Sequence, residues 1–373
     1  MEDNVTTMVD QQPPARLPDL TPKWLTDVLR SSGHIGRGDV ITGWEATPIG
    51  AGVGLLSDIA KLDLEYGAGT GPLAALIAKF ATANEQNRAV AQGLHMYERE
   101  VRFYQNLAAD VGGCCPLSFY SHVEPSTGDM VLLMEDLSDY RPGDQTRGCS
   151  LAEAELAIGA AARLHAATWY AEGREDLSWW PRIEGPLWLG GLGTTAAAVF
   201  DQVMEAFAPV VAQEVADVGE RYKAAIPELH RRMGQGPQAL IHGDFRLDNF
   251  MFGLADGHRP FVMLDMQASI VTKSIHDVAY LLTQSMDVDL RRAHERRLVN
   301  DYHGALVGLG VDDYTAEQCW EDYRTAALHC LEYALVIAGS LEPGNERGRT
   351  FAEACLRRSC QAIVDLDLLS LLP

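Results

Sequence analysis

The sequence predicts an α+β protein in two parts, an antiparallel sheet with helices followed by a larger, mostly helical region. Two observations carry this reading. Segments with a strand's period of two are confined to residues 40–134, and from Ser150 onward apolar residues recur mainly at helical spacing. A third observation is a pair of short apolar runs, residues 239–241 and 261–264, which place brief buried strands inside the helical part. The 373 residues are 47% hydrophobic and 22% charged, an ordinary globular composition with ample length to bury a core. The chain divides into a disordered tail (residues 1–17), a first lobe (18–137), a linker (138–149) and a second lobe (150–373).

The tail is polar and contains Gln11-Gln12-Pro13-Pro14. Thr21-Pro22 then reads as an N-cap followed by proline at the first helical position, with Trp24, Leu25, Val28 and Leu29 as the buried face and Gly33 as the stop. Strands at residues 40–47 and 57–66 flank Gly50-Ala51-Gly52-Val53-Gly54. Glycines at such a tip let backbone amides approach phosphates, and they suit any tight hairpin equally well. A third strand, residues 73–80, carries Lys79. A lone buried ammonium is costly, so Lys79 needs a carboxylate, and Glu100 on a helix with Tyr97, Val101, Phe103 and Tyr104 is the best candidate. The alternative is a strand-edge lysine with an exposed glutamate. Strands at 117–122 and 130–134 complete the sheet, Glu135-Asp136-Leu137 follows, and residues 138–148 read as flexible.

In the second lobe, Ser150 and Glu153 form a capping box for a helix over 150–170, with His165 and Trp169 read as core. Trp179, Trp180 and Trp188, interleaved with glycines, either join the core or wall an acceptor pocket. Residues 194–233 read as two helices, and 290–309, 315–340 and 347–369 as three more.

The chemistry concentrates in His242-Gly243-Asp244-Phe245-Arg246-Leu247-Asp248-Asn249 and Asp265-Met266-Gln267. Each follows an apolar run, so both acids stand where a short strand ends and a loop begins, at cleft positions. Phosphoryl transfer asks a protein for a carboxylate to take the acceptor's proton, oxygen ligands for Mg²⁺ and a cation on the phosphates. Asp244 is the candidate base, and Asn249 and Asp265 are candidate Mg²⁺ ligands. The bland alternative is a turn that caps a strand and an aspartate held in a salt bridge. Arg246 either neutralises the transferring group or is a solvated loop arginine. Only residues 268–274 separate the second motif from the helix carrying His276 and Asp277, which leaves no room for a protein kinase's activation segment and points to a free small molecule as acceptor.

With these residues in order, the chain resembles the aminoglycoside phosphotransferase and choline kinase group of small-molecule kinases, most nearly its ecdysteroid-kinase-like branch. The resemblance runs from about residue 40 to the C-terminus. It implies a bilobal protein-kinase-like fold that uses ATP and Mg²⁺. It also implies that Gly50, Gly52 and Gly54 cover the phosphates, that Lys79 held by Glu100 contacts them, and that Glu135 to Leu137 receive the adenine edge. Asp244 and Arg246 are then catalytic, Asn249 and Asp265 hold the metal, and His242, Gln267 and Asp277 support them, with Asp277 bracing the catalytic loop. Trp179, Trp188, Glu332 and Tyr333 are implied to shape the acceptor pocket. The sequence departs from protein kinases in its glycine spacing and in Asp-Met-Gln, so no phenylalanine-controlled switch is expected. A silent nucleotide-binding scaffold and an aminoglycoside or macrolide resistance kinase stay open as alternatives.

The formal charge of −22, from 52 acidic against 30 basic residues, disfavours nucleic acid and anionic membranes as partners. Seven cysteines without a Cys-x-x-Cys pair point to neither a disulfide framework nor a cysteine zinc site, and fit a reducing cytoplasm. The acidic start Met1-Glu2-Asp3-Asn4 lacks the regions of a signal peptide, and no apolar run reaches spanning length. The expectation is a soluble cytoplasmic protein acting on a small-molecule alcohol. The aromatic segment points to an apolar acceptor and the acidic surface to a cationic one.

Overall fold

The structure is a computed structural model that describes residues 12–49, 56–67, 69, 71–342 and 344–372. Gly50, Gly52 and Gly54 lie outside the described residues. The chain splits into two compact units, one formed by the chain up to Ala109 with Cys115–Asp139, the other by Asp110–Cys114 with the chain from Tyr140.

The first unit begins with helix α1 (Pro22–Ser31), whose N-cap Thr21 accepts a hydrogen bond from the Trp24 amide. Strands β1 (Ile41–Ile49), β2 (Ser57–Tyr66) and β3 (Ala75–Ala81) follow, then helices α2 (Glu85–Gly93) and α3 (Met96–Asn106), then β4 (Ser118–Glu124) and β5 (Asp129–Glu135). The five strands form an antiparallel sheet in the order β1-β2-β3-β5-β4. Alternation along β3 sends Leu76, Ala78 and Phe80 into a core with Trp24, Val28 and Leu62. Ala81 joins Tyr97 and Val101 of α3 in a second cluster. Lys79 shares Ala81's face, so period two alone directs it toward α3. The sequence reading did not separate α2, because only Ala91 of its nine residues is buried and no apolar stripe marks it.

The second unit contains β6 (Arg141–Pro142), α4 (Leu151–Ala167), a single turn α5 (Pro186–Trp188), α6 (Thr194–Ala206), α7 (Gln213–Asp217) and α8 (Gly219–Met233). Next come β7 (Ala239–Ile241), β8 (Phe250–Phe252), β9 (Phe261–Met263) and β10 (Ile270–Thr272). The chain ends in α9 (His276–Gln284), α10 (Val288–Gly308), α11 (Ala316–His329), α12 (Leu331–Gly339) and α13 (Glu346–Asp365). Strands β6, β8 and β9 form one small sheet, and β10 pairs with β7. The Ser150–Glu153 capping box starts α4. All nine residues of α9 are buried, which makes it the axis on which the unit packs.

Three details differ from the sequence reading. Residues 194–233 hold a short extra helix, α7, between α6 and α8. The helix expected over 315–340 breaks at Cys330, whose carbonyl receives the Gln284 side-chain amide at 2.7 Å. Within residues 138–149, read as flexible, Arg141–Pro142 pairs with β8 and Gln145 is buried, bonding the Gln284 carbonyl at 2.9 Å and the Leu247 amide at 3.1 Å. Those partners lie more than a hundred residues away in sequence, beyond the reach of local composition. Among the described residues no helix is long and apolar enough to cross a membrane.

Leu62 is fully buried at the centre of the first core, whereas Val40 is about half exposed at its edge. Leu62→Ala is expected to cost about 2–5 kcal/mol and Val40→Ala less than about 1 kcal/mol, as read from urea unfolding.

Candidate active site

Strand β7 is buried throughout and delivers His242, Gly243 and Asp244 at its end. Gly243 has φ +80°, and a Cβ there would stand 2.2 Å from the Ala268 carbonyl oxygen, so glycine alone permits this turn. The turn's two free amides both go to Asp277 in the first turn of α9. The His242 N–H donates to Oδ2 at 2.7 Å and the Gly243 N–H to Oδ1 at 3.0 Å. His165 of α4 also donates to Asp277 through Nε2 at 3.1 Å, and its Nδ1 accepts from the Tyr302 hydroxyl at 2.9 Å. Burial pushes the Asp277 carboxyl up, but the His165 bond and the charges of His165 and His242 outweigh it and hold the group below its ordinary value. His242 ties the two acidic motifs together, donating from Nε2 to the Leu264 carbonyl at 2.7 Å while its Nδ1 faces the Asp244 amide at 3.3 Å.

The Asp244 carboxylate is half-buried and receives several donors. Asn249 Nδ2 lies 2.9 Å from Oδ2, Arg246 Nε 2.8 Å from Oδ1, and the Tyr280 hydroxyl 3.3 Å from Oδ1. Burial alone would raise the carboxyl, yet the Arg246 guanidinium, with His242 and Asn249, keeps it below its usual value. It is therefore ionised at neutral pH. Asn249 gives its amide nitrogen to Asp244, which leaves the amide oxygen as its donor atom for a cation. The Leu264 amide bonds the Asn249 carbonyl at 2.8 Å, so the β8–β9 ladder sets Asn249 beside Asp265. Asp265 sits in the left-handed region at φ +66°, a conformation that costs a non-glycine residue about 1–2 kcal/mol, and accepts from Gln267 Nε2 at 2.9 Å. A carboxylate and an amide oxygen are ligand types that suit a hard cation such as Mg²⁺.

In the first unit, Lys79 Nζ lies 2.8 Å from Glu100 Oε1 and 2.7 Å from Oε2, with both side chains almost fully buried. Glu135 Oε2 accepts the Leu117 amide at 2.9 Å, and Leu137 is buried.

An aromatic chain leads away from the base. Tyr280 packs 5.0 Å from the Tyr333 ring, and the Tyr333 hydroxyl accepts from Trp188 Nε1 at 3.3 Å. Trp179 packs edge-on against Trp180, whose indole N–H donates to Ser269. Glu332 is fully buried against His230, so its carboxylate forms no part of an accessible pocket. Sequence reasoning missed Tyr280, Tyr302 and His165 as partners of the site. Tyr280 was within reach, since it lies one helical turn from Asp277 on the same face; the other contacts depend on tertiary packing.

Only one helical turn and the short strand β10 lie between Asp265 and α9, which leaves no room for a protein kinase's activation segment. The chain belongs to the Ecdysteroid kinase-like family, whose profile matches residues 52–310. No curated protein matches the chain. Solved structures share its fold. A protein of Ralstonia eutropha JMP134 assigned as an aminoglycoside phosphotransferase is 15% identical, with 93% of this chain and 99% of that one covered at a TM-score of 0.53. An APH(2")-type enzyme in complex with GDP and kanamycin is 15% identical, with coverages of 91% and 98% and a TM-score of 0.52. Choline kinase from Cryptosporidium parvum is 11% identical, with coverages of 88% and 92% and a TM-score of 0.51.

Because the folded-state pKa of Asp277 is lowered, its stabilising contribution is complete above the ordinary carboxyl value of 3.8 and is lost as pH falls through the folded value. Asp277→Asn is therefore expected to lose roughly 3 kcal/mol at neutral pH. Urea titrations of both proteins should show the gap closing only as pH falls below 3.8.

Proposed function

We propose that the chain transfers the γ-phosphate of ATP to a hydroxyl of a small molecule in the cytoplasm. The observation that supports this most is the Asp244 carboxylate, ionised and fixed on a braced turn beside Asn249 and Asp265. Asp244 accepts the hydroxyl proton as the acceptor oxygen attacks the γ-phosphorus. The bond from that phosphorus to the bridging oxygen breaks in line, and ADP leaves. Asn249 and Asp265 would hold Mg²⁺, which when bound neutralises charge on the phosphates. His242 keeps the two loops in register, and Gln267 holds the Asp265 carboxylate.

Lys79 is assigned the α- and β-phosphates, with Glu100 holding its ammonium, and the glycines at positions 50, 52 and 54 are assigned the phosphate oxygens. The backbone from Glu135 to Leu137 is assigned the adenine edge. Arg246 is bonded to Asp244 in this structure and stabilises charge on the transferring group during turnover. Trp188 and Tyr333, joined to Asp244 through Tyr280, are assigned to the acceptor side, and Trp179 to the same segment's outer part. Aromatic walls favour an acceptor with an apolar body and one reactive hydroxyl.

The test is ATP-dependent phosphorylation of pooled hydroxylated metabolites, sterols and aminoglycosides, read by mass spectrometry. Asp244→Asn is expected to lower turnover by at least roughly 10²–10⁴-fold, with nucleotide affinity retained. Near-normal turnover in that variant would remove Asp244 from the chemistry, and nucleotide binding without any transfer would favour a scaffold.

A further inference from the structure

Five donor side chains with no role in the reaction above meet inside the second unit. His230 comes from α8, His276 from α9, His329 from the end of α11, Cys330 from the break that follows, and Glu332 from α12. Each is fully buried. The rings of His230 and His329 lie 4.8 Å apart edge to face, and those of His276 and His329 5.3 Å apart.

Hydrogen bonding orients part of this group and leaves the rest unsatisfied. His230 donates from Nδ1 to the Ile183 carbonyl at 2.9 Å, which turns its Nε2 toward α12. That nitrogen faces Glu332 Oε2 at 2.7 Å. At this distance either a proton or a metal cation lies between the two atoms. An imidazole anchored through one nitrogen to a backbone carbonyl, with the other directed at a carboxylate, is also the arrangement that prepares a histidine for a metal. Neither ring nitrogen of His329 has a hydrogen-bond partner among the described residues, and Glu332 Oε1, 3.9 Å from His329 Nε2, has none either. A buried imidazole N–H and a buried carboxylate oxygen each cost free energy when left without a partner.

One donor atom from each of His230, His329 and Glu332 lies within 4.8 Å of the other two. Nitrogen and oxygen ligands of a tetrahedral Zn²⁺ stand about 2.0–2.2 Å from the metal, so modest side-chain rotations close the set around one ion. We propose that His230, His329 and Glu332 bind a single divalent cation of the zinc class. Two imidazoles and a carboxylate select such an ion over Mg²⁺, which takes oxygen ligands. Cys330 and His276, with Sγ 3.8 Å from Nε2, form a second donor set around the same His329. The bound ion cross-links α8, α11 and α12 and has a structural role. It does not depend on the phosphotransfer reading. The competing arrangement is a proton shared between His230 and Glu332, with no metal bound.

The full chain, purified without chelator and dialysed against excess Mg²⁺ to compete any ion from the acidic motif, is expected to retain about one equivalent of zinc by elemental analysis. Chelation should lower the melting temperature, and added Zn²⁺ should restore it. Co²⁺ substitution should give the visible absorption of a low-coordinate nitrogen and oxygen site. Glu332→Gln, which keeps the side-chain volume, and His329→Ala should each lose the ion and the Zn²⁺-dependent melting shift. If one variant fails to fold, the other and the Co²⁺ spectrum of the wild-type chain still decide. Two results overturn the site. One is a wild-type chain that retains no metal and shows no shift on adding Zn²⁺. The other is zinc retained equally by wild type and Glu332→Gln.

Discussion

The second unit depends on one carboxylate. Asp277 takes both amides of the turn at residues 242–243 and the imidazole of His165 in a fully buried setting. Without it, two backbone donors at the end of a buried strand would be stranded, and the turn that aims Asp244 would have no anchor. Three segments distant in sequence, α4, the end of β7 and α9, are joined at this single group. The rigidity of Asp244 is thus inherited from the core rather than built within its own loop.

The same physical device recurs in the first unit. Lys79 is buried on a central strand because β3 alternates, and a buried ammonium must be matched, which Glu100 does at 2.7–2.8 Å. In both units a charged group is kept where desolvation would normally exclude it, and its partner comes from a helix packed on a strand.

The His230, His329 and Glu332 cluster shows the opposite case. There the buried polar atoms lack a complete set of partners among the described residues, and on the proposal above the remaining demand falls on a metal ion. It also separates Glu332 from Tyr333. Adjacent positions on α12 turn in different directions, one toward the imidazoles and one toward the aromatic chain that reaches Tyr280.

What the sequence determined by itself was the order and type of the main elements and the placing of the His-Gly-Asp and Asp-Met-Gln motifs at strand ends. Strand period, the Thr21 and Ser150 caps, and apolar runs ending in His-Gly-Asp and Asp-Met-Gln are local signals, and the chain obeys them at α1, α4, β2 and β7. Tertiary structure alone decided the break at Cys330, the anchoring of Gln145, the bond from Tyr280 to Asp244 and the meeting of His230 and His329 with Glu332. The physical reason is range. Periodicity and capping act over a few residues, whereas these contacts are selected by satisfying buried donors and acceptors across 36 to more than a hundred residues of chain, which no local pattern encodes.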